Sequence, residues 1–152
     1  MKPYRIRQYA VRLGLGLFIL GCQGRASIWI LQNSNTSHLG FGVGTRRYLG
    51  APVELRSLRV ASCNSNLKAE NIFWSMHRIT SPEHQEKFRT VVYGQTPDGF
   101  KTEYGPRPLS RGCYDAVIHT TYGQVGGVRF AVDSIGNIRE LRPGSDEASR
   151  KW

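Results

Sequence analysis

Two kinds of hydrophobic pattern divide this chain. Residues 13–21 (LGLGLFILG) form one continuous apolar run, preceded by Lys2, Arg5, Arg7 and Arg12 with no acid among them. From Ala51 onward the apolar positions come in short alternating segments separated by turn residues, the pattern of strands with one buried face. Val53 and Leu55 share one phase of the alternation and Leu58 and Val60 the other, so that strand needs a bulge near Arg56 and Ser57. Ile72, Trp74 and Met76 alternate with Phe73, Ser75 and His77. Residues 88–93 (FRTVVY) predict a third strand, and Pro97-Asp98-Gly99 turns into a fourth over 100–104. Tyr114, Ala116, Ile118, Thr120 and Tyr122 line one face of the best-patterned strand. Val128, Phe130 and Val132 follow the Gly-rich connection 123–127. Ile135-Gly136-Asn137-Ile138 then predicts a tight two-residue hairpin turn, with a last strand running through Leu141.

About seven strands in roughly a hundred residues predict an all-β domain over 51–141, an immunoglobulin- or fibronectin III-like β-sandwich. A small closed β-barrel accounts for the same pattern and stays open as the alternative. By contrast, residues 32–50 hold no sustained period, so 22–50 is expected to be a flexible tether and 142–152 a polar tail. Gly40-Phe41-Gly42-Val43-Gly44 within that tether reads as linker. No buried strand precedes it and no Lys-Ser/Thr pair follows, as a phosphate-cradling loop would require.

The segment 108–114 (PLSRGCY) resembles the corner of immunoglobulin-like domains. There a loop leucine packs on a tyrosine that opens the next strand, and the tyrosine hydroxyl bonds back to the loop. Leu109 and Tyr114 are the matching residues, and with Trp74 and Phe130 they are the expected structural core. Cys113 stands one residue before the tyrosine, whereas antibody domains place it two after, so an antibody-type disulfide geometry is not implied.

At the N-terminal end, about nine apolar residues fall short of the roughly 20 needed to span a bilayer. Extending the run through residues 26–31 would bury Gln23 and Arg25, and a central Arg costs about 2.5–3.5 kcal/mol. A cleaved segment fits better. Ile19-Leu20-Gly21-Cys22 resembles the lipobox of bacterial lipoproteins. The resemblance implies a signal peptide over 1–21, diacylation of Cys22, and retention on a membrane facing the periplasm, with Gln23 implying the outer membrane. Several acyl chains anchor stably where one binds only marginally. Plain secretion with a cut near Ala26, and a Cys22 of no special role, are the competing readings.

The formal charge of +10 shrinks once that segment is removed. Four of the 21 basic residues precede Cys22, leaving 17 against 11 acids, or +6. These charges are scattered, with no basic run or arginine-rich helix to track phosphates, so nucleic acid is not an expected partner. A basic surface suits an acidic protein, anionic headgroups or a negatively charged envelope. Lipidation of Cys22 also resolves the odd count of three cysteines, leaving Cys63 and Cys113 as the one pair in a compartment that permits disulfides.

No catalytic signature appears: there is no G-x-S-x-G, H-E-x-x-H or C-x-x-C. Cys113 and His119 lie six apart, about 20 Å along a strand, and a disulfide would consume the thiol. Cys63 with His77 fails on the same disulfide. His38, His77, His84 and His119 are spaced as loop or surface residues, and Glu83, Glu86, Asp98 and Asp115 as solvated carboxylates. The expectation is therefore a protein without enzymatic activity, metal or cofactor. Leu109, Gly112, Tyr114, Phe130, Val132 and Gly136 resemble the corner and terminal F-x-V-x-x-x-G hairpin of immunity lipoproteins of type VI secretion systems. The resemblance covers about the last sixty residues. It implies a protein partner, an envelope-targeting effector with an acidic surface, met by the basic strand faces or the loops 96–100 and 124–127. A structural or assembly lipoprotein of a secretion system or envelope complex, and an inhibitor of lysozyme-like enzymes, are the alternatives.

Overall fold

A computed structural model describes residues 25–47, 50–63, 68–79 and 86–142. The signal segment 1–21, Cys22, Glu83, His84 and the tail from 143 lie outside the described residues. Among the described residues the fold is all-β, with one short 3-10 turn at Ala69–Asn71. Its strands are β1 (Ser27–Ile30), β2 (Gly40–Gly44), β3 (Leu55–Ser62), β4 (Ile72–Arg78), β5 (Thr90–Val92), β6 (Phe100–Tyr104), β7 (Gly112–Thr120), β8 (Val125–Val132) and β9 (Ile138–Leu141). They form two antiparallel sheets, β1-β2-β5 and β6-β4-β3-β7-β8-β9, which do not close into a barrel. The molecule is a β-sandwich of immunoglobulin-like order. β1, β2 and β5 correspond to strands A, B and E, and β4-β3-β7-β8 to C′-C-F-G, with β6 and β9 widening the second sheet.

The core is built from the alternation read in the sequence. Leu58, Val60, Trp74, Met76, Tyr114, Ala116, Ile118, Val128, Phe130 and Val132 face inward and are buried. The bulge lies where the change of phase places it, with the β3–β7 register shifting between Leu55 and Ser57. Tyr122 falls past the end of β7 and is 73% exposed.

The tether is corrected. Residues 22–50 include β1 and β2, and Leu39, Phe41 and Val43 are buried against the core. Phe41 meets the Phe130 ring edge-on at a 6.2 Å centroid distance. The domain therefore begins by Ala26, itself buried, and not at Ala51. The glycines that suggested a linker are the outward phase of a strand. A Cβ on Gly42 would lie 2.0 Å from the Trp29 ring, and one on Gly40 would lie 2.8 Å from Leu31, so Trp29 of β1 and Leu31 just past it cover the places where side chains would stand.

The connections differ from expectation in two further places. β8 starts at Val125, so Gly126 and Gly127 belong to a strand. A Cβ on Gly126 would meet the Ala26 carbonyl oxygen at 2.8 Å. The last hairpin is longer than two residues. Asp133 N–H donates to the Asn137 carbonyl at 3.1 Å, and Gly136 takes the left-handed conformation at φ 86°, the form of a three-residue loop. Slight desolvation pushes the Asp133 carboxyl up, but donors from Asn137, Ile135 and Gly136 outweigh it and hold the group below its ordinary range.

The corner is present. Tyr114 Oη donates to the Ser110 carbonyl at 2.8 Å and accepts from Ser110 N–H at 3.2 Å, while its ring stacks on Phe130 at 5.4 Å. Leu109 is buried beside it in the same core. Tyr93 braces the neighbouring loop, its hydroxyl donating to the Arg107 carbonyl at 2.8 Å. Burial pushes that phenol up to about 12.

Candidate partner-binding surface

One face of the six-stranded sheet packs on β1-β2-β5 and supplies the core, which leaves the outward phase of β3, β4, β6, β7 and β8 on the other face. Strand register arranges that phase into rows. Lys101, His77, Ser57, His119 and Val125 lie opposite one another across β6, β4, β3, β7 and β8. Ser75, Arg59, Val117 and Gly127 form the next row, and Ala61, Asp115, Arg129 and Leu141 the third. Cys113, Ala131, Leu141 and Cys63 make a small second apolar cluster on this outer side.

The disulfide belongs to that cluster. Cys63, just past β3, is bonded to Cys113 on β7 with a Cα–Cα separation of 5.3 Å. It joins neighbouring strands of one sheet, whereas the antibody bridge spans two. The phase explains this, because Tyr114 points inward and Cys113 therefore points out.

The charged groups of the face are partly neutralised within it. Arg129 donates in a fork to Asp115 at 2.7 and 2.9 Å, and this hydrogen bond pushes the guanidinium pKa up. His77 Nδ1 stands 3.9 Å from a Glu103 carboxylate oxygen. Lys101 and His119 are exposed and Arg59 is half-buried. The resulting surface is broad, shallow and mixed in charge with a basic excess, the kind that gives electrostatic complementarity to an acidic protein.

The two histidines of the first row were read from the sequence as unrelated. Their shared outward phase, on strands separated only by β3, was the signal that could have joined them. They flank Ser57, two strand spacings apart or about 9.5 Å, and no hydrogen bond links the serine to either ring. Cys113 and His119 share the outward phase of β7 but sit at opposite ends of it, and Cys113 is in the disulfide. Among the described residues no group of three or more His, Cys, Asp or Glu gathers to hold a metal ion.

Concavities flank the face. A groove of ≈ 560 Å³ opens where β8 outruns β9, lined among others by Ala26, Ile28, Val117 and Gly127. Its walls carry the Asp115–Arg129 pair and the Arg47–Glu140 pair, the latter at 2.6 Å. A smaller pocket of ≈ 200 Å³ lies among Thr45, Glu54, Lys87, Tyr122 and Gln124, with the buried Glu54 Oε2 lacking a hydrogen-bond partner.

No family model, curated protein or solved structure matches the chain.

Proposed function

We propose that this protein is an exported lipoprotein, acylated at Cys22, that holds a disulfide-bonded β-sandwich at a periplasm-facing membrane as a non-enzymatic protein-binding module. The observation that carries the binding role is the outward face of the six-stranded sheet, where Arg59, Lys101, His77 and His119 are brought together from four strands. The partner class that fits is a protein with an acidic surface. The resemblance of the corner and terminal hairpin to type VI immunity lipoproteins suggests an envelope-targeting effector, neutralised by occlusion of its working surface. An outer-membrane location follows from Gln23 on the same reading.

The test is affinity capture with the full chain carrying Cys22→Ala, followed by the same capture with Arg59→Glu and Lys101→Glu together. The expected result is one stoichiometric protein with envelope-degrading or pore-forming activity, inhibited on binding. The double reversal should weaken its affinity by about tenfold or more through lost charge complementarity. Capture of envelope-machine subunits would replace immunity with the assembly role. A complex indifferent to both reversals would remove this face as the binding surface.

A further inference from the structure

The structure begins its first strand almost at the proposed anchor, and this determines which end of the sandwich meets the membrane. Three residues lie between Cys22 and Ala26, four residue steps with a reach of at most about 14 Å fully extended. With Ala26 buried in the domain, the sandwich hangs on a short leash.

The pole where the chain comes in, here the proximal pole, can be followed strand by strand. Ser27 lies opposite Gly44, so the turn after β2, with Arg46 and Arg47, is at this pole. Thr90 opposite Gly42 brings Lys87 and Arg89 to it, and Val43 N–H donates to the Arg89 carbonyl. Gly126 against the Ala26 carbonyl adds the β7–β8 hairpin, which carries Tyr122 and Val125. Leu55 opposite Thr120, and Arg78 Nε donating to the Leu55 carbonyl at 2.9 Å, place Ile79 there as well.

Two independent properties then coincide. Arg25, Arg46, Lys87 and Arg89 are exposed basic groups at this pole, with Arg47 beside them in its pair with Glu140; Glu86, and Asp98 in the turn whose Gly99 carbonyl accepts from Ile79 N–H, are exposed acids there. Among the described residues, three of the five exposed large apolar side chains, Ile79 at 62%, Tyr122 at 73% and Val125 at 50%, stand at the same end. The distal pole instead mixes Lys68, Arg107 and Arg111 with Glu70 and Asp133. Cations around protruding apolar and aromatic side chains are what a headgroup layer accepts, the cations toward phosphates and the apolar groups at the acyl boundary.

We infer that the proximal pole is a membrane-docking surface for anionic phospholipid. Its biological setting rests on the anchored reading above. The short leash lets these cations come within a Debye length of the headgroups, where each contributes about 1 kcal/mol, or roughly fivefold. Docking turns the 124–127 hairpin toward lipid, puts the row from Lys101 to His119 at the rim of the docked pole, and leaves the rows of Arg59 and Asp115 farther out on the open face. A partner is then met by the strand face and not by that hairpin.

The test is sedimentation of the mature chain, residues 23–152, with vesicles rich in phosphatidylglycerol and with vesicles of phosphatidylcholine alone. The docking surface predicts binding to the first and not the second, reversed by salt. Arg46→Glu with Lys87→Glu should lower binding by about 30-fold or more. Lys68→Glu with Arg111→Glu, exposed at the distal pole, should leave it unchanged and controls for folding and net charge. Equal binding to both vesicles, binding insensitive to the proximal reversal, or no binding would each overturn the inference. Loss of the protein complex in the proximal variant, with no vesicle binding by the parent, would assign the pole to the protein partner instead. Because acylation is absent from this assay, a failed anchor at Cys22 and a failed docking surface are separately visible.

Discussion

Replacing Phe41 by alanine is expected to destabilise the fold by about 3–5 kcal/mol, a cost reserved for large side chains removed from a packed core. Phe41 is 0% exposed and sits between the sheets, its ring edge-on to Phe130. A residue in a flexible tether would give a change within about 0.5 kcal/mol. Denaturant unfolding of the full chain with Phe41→Ala separates the two outcomes. Removing residues 25–47 should go further and prevent folding, because it exposes the inward side chains of the six-stranded sheet and strips β5 of its partner strand β2.

That segment marks where the sequence was least legible. The pattern in residues 40–44 is alternating, but its outward phase is glycine, which ordinarily signals a linker. Only the Trp29 side chain lying over Gly42 explains why strand and glycine coincide, and that contact joins two segments that are not adjacent in sequence. Gly126 repeats the lesson, since the Ala26 backbone occupies the space its side chain would need. In β3 and β7 local pattern was sufficient. The phase change between Leu55 and Leu58 placed a bulge, and the alternation from Tyr114 to Thr120 placed the core strand of the large sheet. The candidate binding face was legible only as scattered basic residues. Register between non-consecutive strands decides that Lys101, His77, Ser57 and His119 share a row, and no local signal carries register.

Replacing Cys63 and Cys113 together by alanine should cost about 4 kcal/mol, the chain-entropy value for a loop of this size, with a sequence separation of 50. That is a large share of the roughly 5–15 kcal/mol a domain of this kind holds. The bridge fastens the distal ends of β3 and β7, two adjacent strands of the large sheet that is also the proposed binding face. Both cysteines pack on Ala131 and Leu141, so the loss includes outer-face packing as well as chain entropy. Denaturation of wild type with and without a thiol reductant, beside the double variant, should give matching midpoints for the reduced and mutant proteins, both well below the oxidised one. Coincident curves for all three would show that the bridge contributes nothing to stability.

The central claim is a sandwich fastened to a membrane at Cys22, and intact mass spectrometry of the protein recovered from the envelope of an expressing bacterium tests it most directly. The account predicts a chain beginning at Cys22, heavier than its sequence by a diacylglyceryl group on the sulfur, released by detergent and not by salt. Recovery of a chain that retains residues 1–21, or of one cut elsewhere with no lipid on Cys22, would contradict it.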